Sequence, residues 1–139
     1  MFFRAHDFND ANYLQVLRRD LTRALHRKRP ELDIDDLLLH QDNAPPHRAA
    51  NTTLELGLLG LDTVEHPPYS PDLAPMDFKV FPIVKSALKG YRFQDFRELA
   101  LAIQRVVSTF DEEWYTDMFN QWIDRHGKCV ATHGDYVEK

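Results

Sequence analysis

Asp42 and Asp77 stand in two proline-rich motifs, HQDNAPPH and PPYSPDLAPMDF, with 34 residues between them. Two carboxylates so placed can share a metal ion. A hard cation such as Mg²⁺ favours oxygen ligands in a near-octahedral shell and keeps several waters, so one or two carboxylates per ion suffice. In two-metal phosphoryl transfer one ion activates the attacking water or 3′-hydroxyl while the other stabilises the leaving oxygen, and no histidine base is obligatory. Two carboxylates alone would hold such an ion pair poorly, because the ions together carry four positive charges.

Each residue also has a plainer use. Asp42, followed by Asn43 and Pro45, suits an Asx-turn, and Asp77 suits a helix N-cap. Asp72, behind Pro71, reads as turn chemistry and is assigned a structural role. His40, His47 and His66 around Asp42 raise the alternative of a zinc or iron site, but their spacing fits no zinc signature. His47 and Arg48 suit a phosphate neighbour or a helix start equally well. Trp114, Tyr115, Phe119 and Trp122 recur at helical spacing, which favours packing over a base-stacking platform. Cys129, the single cysteine, reads as a small buried hydrophobe and leaves no internal disulfide.

The elements that must position these residues follow from periodicity and punctuation. Leu14, Leu17, Leu21 and Leu25 predict a helix capped at Asn9 or Asp10, with Arg23, Arg27, Lys28 and Arg29 at its negative pole. That basic cluster reads more readily as a solvated helix end than as a DNA contact. The apolar run Ile34 to His40 predicts a buried parallel strand that delivers Asp42 just past its end, where active sites of open α/β sheets form. A helix from Pro46 to Gly57 or Gly60 and a strand over Leu61 to Glu65 complete a right-handed βαβ unit. Downstream the chain reads as helical. Pro82 breaks the Met76 to Leu88 pattern, so that helix kinks or starts near Phe81. Phe96, Ala100, Ile103, Val107 and Phe110 form one stripe. Ser108-Thr109 followed by Asp111-Glu112 predicts a capping box for a last helix that buries Trp114, Met118, Trp122 and Ile123.

With 139 residues and 43% hydrophobic content, the chain is about the size of one domain. No linker or repeat divides it, so residues 1–139 read as a single compact unit. A formal net charge of −5 argues against a broad basic face for nucleic acid. No run of 18 apolar residues offers a membrane span, and the N-terminus lacks the apolar stretch of a secretory signal, which points to an intracellular protein.

The two motifs, their 34-residue gap and the tail EEWYTDMFNQWIDRHGKCVATHGDYVE together resemble the C-terminal part of a mariner-type transposase catalytic domain. The resemblance covers nearly the whole chain. Sister families place Glu where Asp77 stands, so the Asp favours the mariner branch. The resemblance implies an α/β, incomplete ribonuclease H-like fold, a βαβ unit plus C-terminal helices. It also implies Mg²⁺ or Mn²⁺, two ions held by three acids, for DNA cleavage and strand transfer. Asp42 and Asp77 would be two of those catalytic, metal-binding acids. Asp7, Asp10, Asp20, Asp33, Asp35 and Asp36 lie too close to Asp42 to be the third, so the first strands and a helix-turn-helix DNA reader are expected to be absent. Such a fragment is expected to be inactive alone. Transposon-end and target DNA, a homodimer and a nuclear location are likewise implied by the resemblance. The alternative is a domesticated, non-catalytic interaction or DNA-associated protein.

Overall fold

Asn9 opens the first helix by accepting the Asn12 N–H on its side chain at 2.9 Å. The computed structural model of the protein describes residues 9–137. Helix α1 (Asp10–Gln15) passes into a π-helical stretch, Val16–Leu21, and then into α2 (Thr22–Lys28). The leucine pattern therefore forms a helix as expected, but with one wider turn inside it. Leu17 is 1% exposed and packs with Tyr13, Leu56 and Leu61. The described residues fall into two compact units, one ending at Pro68 and the other beginning at Tyr69.

In the first unit the strand is shorter than the apolar run suggests. Ile34–Asp36 forms a 3-10 turn and only Leu38–His40 is strand β1. Asp36 and Leu37 donate their N–H groups back to Asp33 and Ile34, which closes the turn before extension begins. Nor is the strand buried on both faces. Leu37 and Leu39 pack on the core cluster while Leu38 is 68% exposed.

The helix expected from Pro46 is two helices. Pro45–Arg48 makes α3, the backbone extends at Ala49 (ψ 144°), and α4 runs over Ala50–Leu59. Thr52, fully buried, ties the two by donating its hydroxyl to the Pro46 carbonyl at 2.7 Å. Gly60 ends α4 in the left-handed region (φ 70°), where a Cβ would collide with the Asp35 carboxylate. Strand β2 (Asp62–Val64) then pairs in parallel with β1, Leu38 opposite Asp62 and His40 opposite Val64, as the βαβ reading requires. An ion pair between Arg18 and Glu55 at 2.6 Å links the first helical segment to α4.

In the second unit, a 3-10 turn over Pro71–Leu73 leads into a π-helical stretch, Met76–Val80, and α5 (Phe81–Leu88) begins at Phe81 with Pro82 in its first turn. Helix α6 (Phe96–Val107) carries the expected stripe, although Phe96 is half exposed and Phe110 lies beyond the helix end. Its cap is Asp95, which accepts the Glu98 N–H. The last helix, α7 (Glu112–Ala131), is capped by Asp111 accepting from Trp114 at 2.8 Å. The expected Ser108-Thr109 box is not formed, because both hydroxyls instead donate back to carbonyls of α6.

Met118 is the buried residue of α7, and it packs with Val80 and Val84. Ile123 is 70% exposed, so the buried face is narrower than the apolar pattern suggested. Trp114 is half-buried and stacks on Phe110 at 3.9 Å, with the Lys79 ammonium 4.9 Å from its ring. Packing, the expected use of this aromatic group, thus holds for Trp114, whereas Phe119 is half exposed. Cys129 is half-buried rather than buried.

Candidate metal-binding carboxylates

Asp42 emerges two residues past the end of β1, on the loop into α3. Its Oδ1 accepts the Ala44 N–H at 3.0 Å, so the Asx-turn exists. The same oxygen meets His47 Nδ1 at 2.6 Å, which makes the loop a closed ring of contacts from residue 42 to residue 47. Among the described residues nothing meets Oδ2, and the side chain is 54% exposed. A structural turn and an open carboxylate oxygen therefore coexist on one residue.

The surroundings of Asp42 favour its ionised form. Partial burial would raise its pKa, but the Ala44 N–H, the His47 side chain and the charge of His66 together outweigh this and hold it below the usual carboxylate value. Tyr13 lies with its ring centroid 4.4 Å from that of His47 and donates its hydroxyl to Gln41. Burial first, and the neighbouring Asp42 charge second, push the Tyr13 phenol upward, so it stays protonated as a donor. His47 is thereby fixed between an aromatic face and Asp42.

His40 and His66 form a second pair. Their ring nitrogens lie 3.2 Å apart and the rings meet edge to face. Asn43 donates to the His66 carbonyl at 2.7 Å, tying the Asp42 loop to the chain after β2. Among the described residues, no three His, Cys, Asp or Glu side chains converge as a metal cage, so the zinc alternative gains no support.

Asp77 occupies the first turn of the Met76–Val80 stretch. Its N–H donates to the Ala74 carbonyl at 2.9 Å, so it sits inside the helix rather than at its cap. Asp77 is exposed, and its carboxylate makes no hydrogen bond or ion pair among the described residues. Wide π-helical turns inside helices occur frequently at functional sites, and here one carries the candidate ligand. Asp72, by contrast, is 4% exposed and accepts the Val137 N–H at 2.8 Å, which bears out its structural assignment.

Asp42 belongs to the first unit and Asp77 to the second. Both present carboxylate oxygen, the donor type that hard cations favour, and each lies exposed at a fixed backbone position. The pairing of His47 with Asp42 was legible only as a five-residue spacing in HQDNAPPH. The pairing of His40 with His66 had no local signal, because it depends on strand register.

A further feature of the first unit is a shallow cleft of about 580 Å³ lined by Arg18, Arg19, Thr22, Arg23, His26 and Arg27. Residues 18–29 hold six of the chain's 17 lysines and arginines, against one acid, Asp20.

The fold is shared with solved structures of the Mos1 transposase. A structure of the Mos1 transposase catalytic domain with raltegravir and Mg superposes with a TM-score of 0.86 at 35% identity, covering 94% of this chain and 66% of that one. A pre-cleavage Mos1 transpososome gives a TM-score of 0.86 at 34% identity, over 94% of this chain and 39% of that one. Among curated proteins, the mariner Mos1 transposase of Drosophila mauritiana is 38% identical over 97% of this chain and 39% of its own length. The human histone-lysine N-methyltransferase SETMAR is 37% identical over 96% of this chain and 18% of its own length. No family model matches. The chain is a homologue of the mariner-type transposases and has the ribonuclease H-like fold of their catalytic domain. It spans well under half the length of the curated relatives it matches.

Proposed function

We propose that this chain is part of the metal-dependent catalytic core of a mariner-type DNA transposase, with Asp42 and Asp77 as two of its metal-binding carboxylates. The observation that carries the reading is the placement of these acids. Each stands exposed within its motif, in a chain about 35% identical to a catalytic domain whose structures are described with Mg and with Mn. When bound, divalent ions would activate a water or 3′-hydroxyl and stabilise the leaving oxygen of a phosphodiester. The role of Asp42 is to offer Oδ2 outward while Oδ1 is held by Ala44 and His47. Asp77 offers a carboxylate without competing partners.

The same reading extends to fold and partners. A two-stranded parallel sheet with Leu38 left exposed fits a portion of a larger ribonuclease H-like sheet. Transposon-end DNA, target DNA and a second copy of the protein are the expected partners, and the nucleus the expected location. Arg23 and Arg27 are the cations for the DNA backbone. Both are exposed and without an acidic partner among the described residues, whereas Arg18 and Arg19 already face Glu55 and Asp20. The relatives do not favour the alternative of a non-catalytic interaction protein.

Because two carboxylates alone hold a pair of divalent ions poorly, the purified chain alone is expected not to cleave DNA. The test is a chimera in which this chain replaces the matching segment of the mariner Mos1 transposase. Mg²⁺-dependent nicking of transposon-end DNA that D42N and D77N each reduce at least a hundredfold supports the reading. A chimera that nicks equally well with either substitution overturns it.

A further inference from the structure

The loop that precedes Asp77 is held from outside its own helix. The N–H of the Trp122 indole donates to the Leu73 carbonyl at 2.8 Å. One residue earlier, Arg125 Nη1 donates to the Asp72 carbonyl at 3.1 Å and to the Val137 carbonyl at 3.4 Å. The Asp72 carboxylate in turn accepts the Val137 N–H at 2.8 Å. Two successive carbonyls and one buried carboxylate of the SPDL turn are thus gripped by α7 and by the chain that follows it. The Arg125 guanidinium also lies 4.3 Å over the ring of Phe78, the residue next to Asp77.

These bonds are not surface ornament. Asp72, Leu73, Ala74 and Val137 are all 6% exposed or less. A buried carbonyl or N–H left without a partner costs about 1–3 kcal/mol, so the turn cannot readily move away from these donors. Pro71 and Pro75 flank the turn and limit its backbone further. Immediately after it, Asp77 and Phe78 both donate to the Ala74 carbonyl, so the backbone carrying the carboxylate is built directly on the gripped segment.

We infer that Trp122 and Arg125 are positioning residues for Asp77: through the Asp72-Leu73 turn, and for Arg125 through Phe78, they set where its carboxylate meets a divalent cation. This rests on the reading of Asp77 as a metal ligand. Helix α7 and the segment through Val137 thereby belong to the metal-binding apparatus although they supply no ligand.

The test follows Mn²⁺-induced broadening of the Asp77 and Phe78 amide signals in the ¹⁵N-labelled full chain, with unmodified protein, D77N, R125Q, R125K and W122F. Broadening in the unmodified protein should vanish in D77N. R125Q should require about tenfold more Mn²⁺ for the same broadening, and R125K much less than that, since an ammonium can still donate to both carbonyls. W122F keeps an aromatic ring but loses the indole donor, and should shift the midpoint in the same direction as R125Q. Should the Asp77 signal stay sharp in the unmodified protein, or broaden equally in D77N, the ligand reading itself fails. Broadening that D77N abolishes but R125Q and W122F leave at the original midpoint overturns the positioning role alone.

Discussion

Asp42 combines a turn contact with a second carboxylate oxygen left open, the feature on which its proposed metal-binding role rests. Its Oδ1 is committed to Ala44 and His47, and that commitment fixes the direction of Oδ2. The carboxylate pKa is lowered despite partial burial, so its contribution to stability is present above the ordinary carboxylate range and is lost as pH falls through the lowered value. Replacing His47 with Ala removes one of the lowering contacts. The Asp42 pKa, read from carboxyl carbon shifts, is therefore expected to rise towards its ordinary value, and an unchanged titration would show that the Ala44 N–H and His66 suffice. The candidate acids were legible in the sequence because each lies in a short, punctuated motif. The partner of Asp42 and the bonds that hold the turn before Asp77 were not, because His47 turns back across a loop and Trp122 and Arg125 reach the Leu73 and Asp72 carbonyls from a helix some fifty residues away.

Elements were legible to the extent that their signals are local. The first helix, the parallel strand pair, the Gly60 stop and the start of α5 at Phe81 all follow from spacing, glycine and proline. Boundaries set by side-chain competition were missed. Asp35 and Asp36 sit in a turn that shortens β1, and Asp111 caps α7 in place of Ser108. Gly60 is the sharpest of the correct signals, since its left-handed backbone and the Asp35 carboxylate both exclude a Cβ. Gly60→Ala is expected to cost about 1–2 kcal/mol for the left-handed conformation alone. A thermal melt showing unchanged stability would mean that α4 ends differently. The cleft on the first helical segment carries a second element-scale expectation. R23Q and R27Q should each weaken DNA binding across all sequences and lower the slope of log affinity against log salt by about one, measured by fluorescence anisotropy. A slope unchanged in both variants would leave those arginines as a solvated helix end.

At the scale of the molecule, a formal net charge of −5 coexists with a basic stretch at residues 18–29, so overall charge does not describe the local charge there. The hydrophobic residues also divide more finely than composition suggested. One cluster gathers around Leu17 and Leu56, another around Val84 and Met118, and no flexible linker marks the change near Tyr69. Tyr69 itself is fully exposed with a positive φ of 54°, an unusual conformation for a bulky residue. Each unit carries one of the two candidate acids, Asp42 on a loop and Asp77 in the first turn of a π-helical stretch, and the purpose proposed for both is to bind a divalent cation. That purpose is most directly tested by Mn²⁺ binding to the full chain, followed by the loss of the free-ion electron paramagnetic resonance signal. Both D42N and D77N are predicted to weaken binding by at least about tenfold, the factor expected for roughly 1.4 kcal/mol. Equal Mn²⁺ binding by the unmodified protein and both variants would contradict the assignment of these carboxylates as metal ligands.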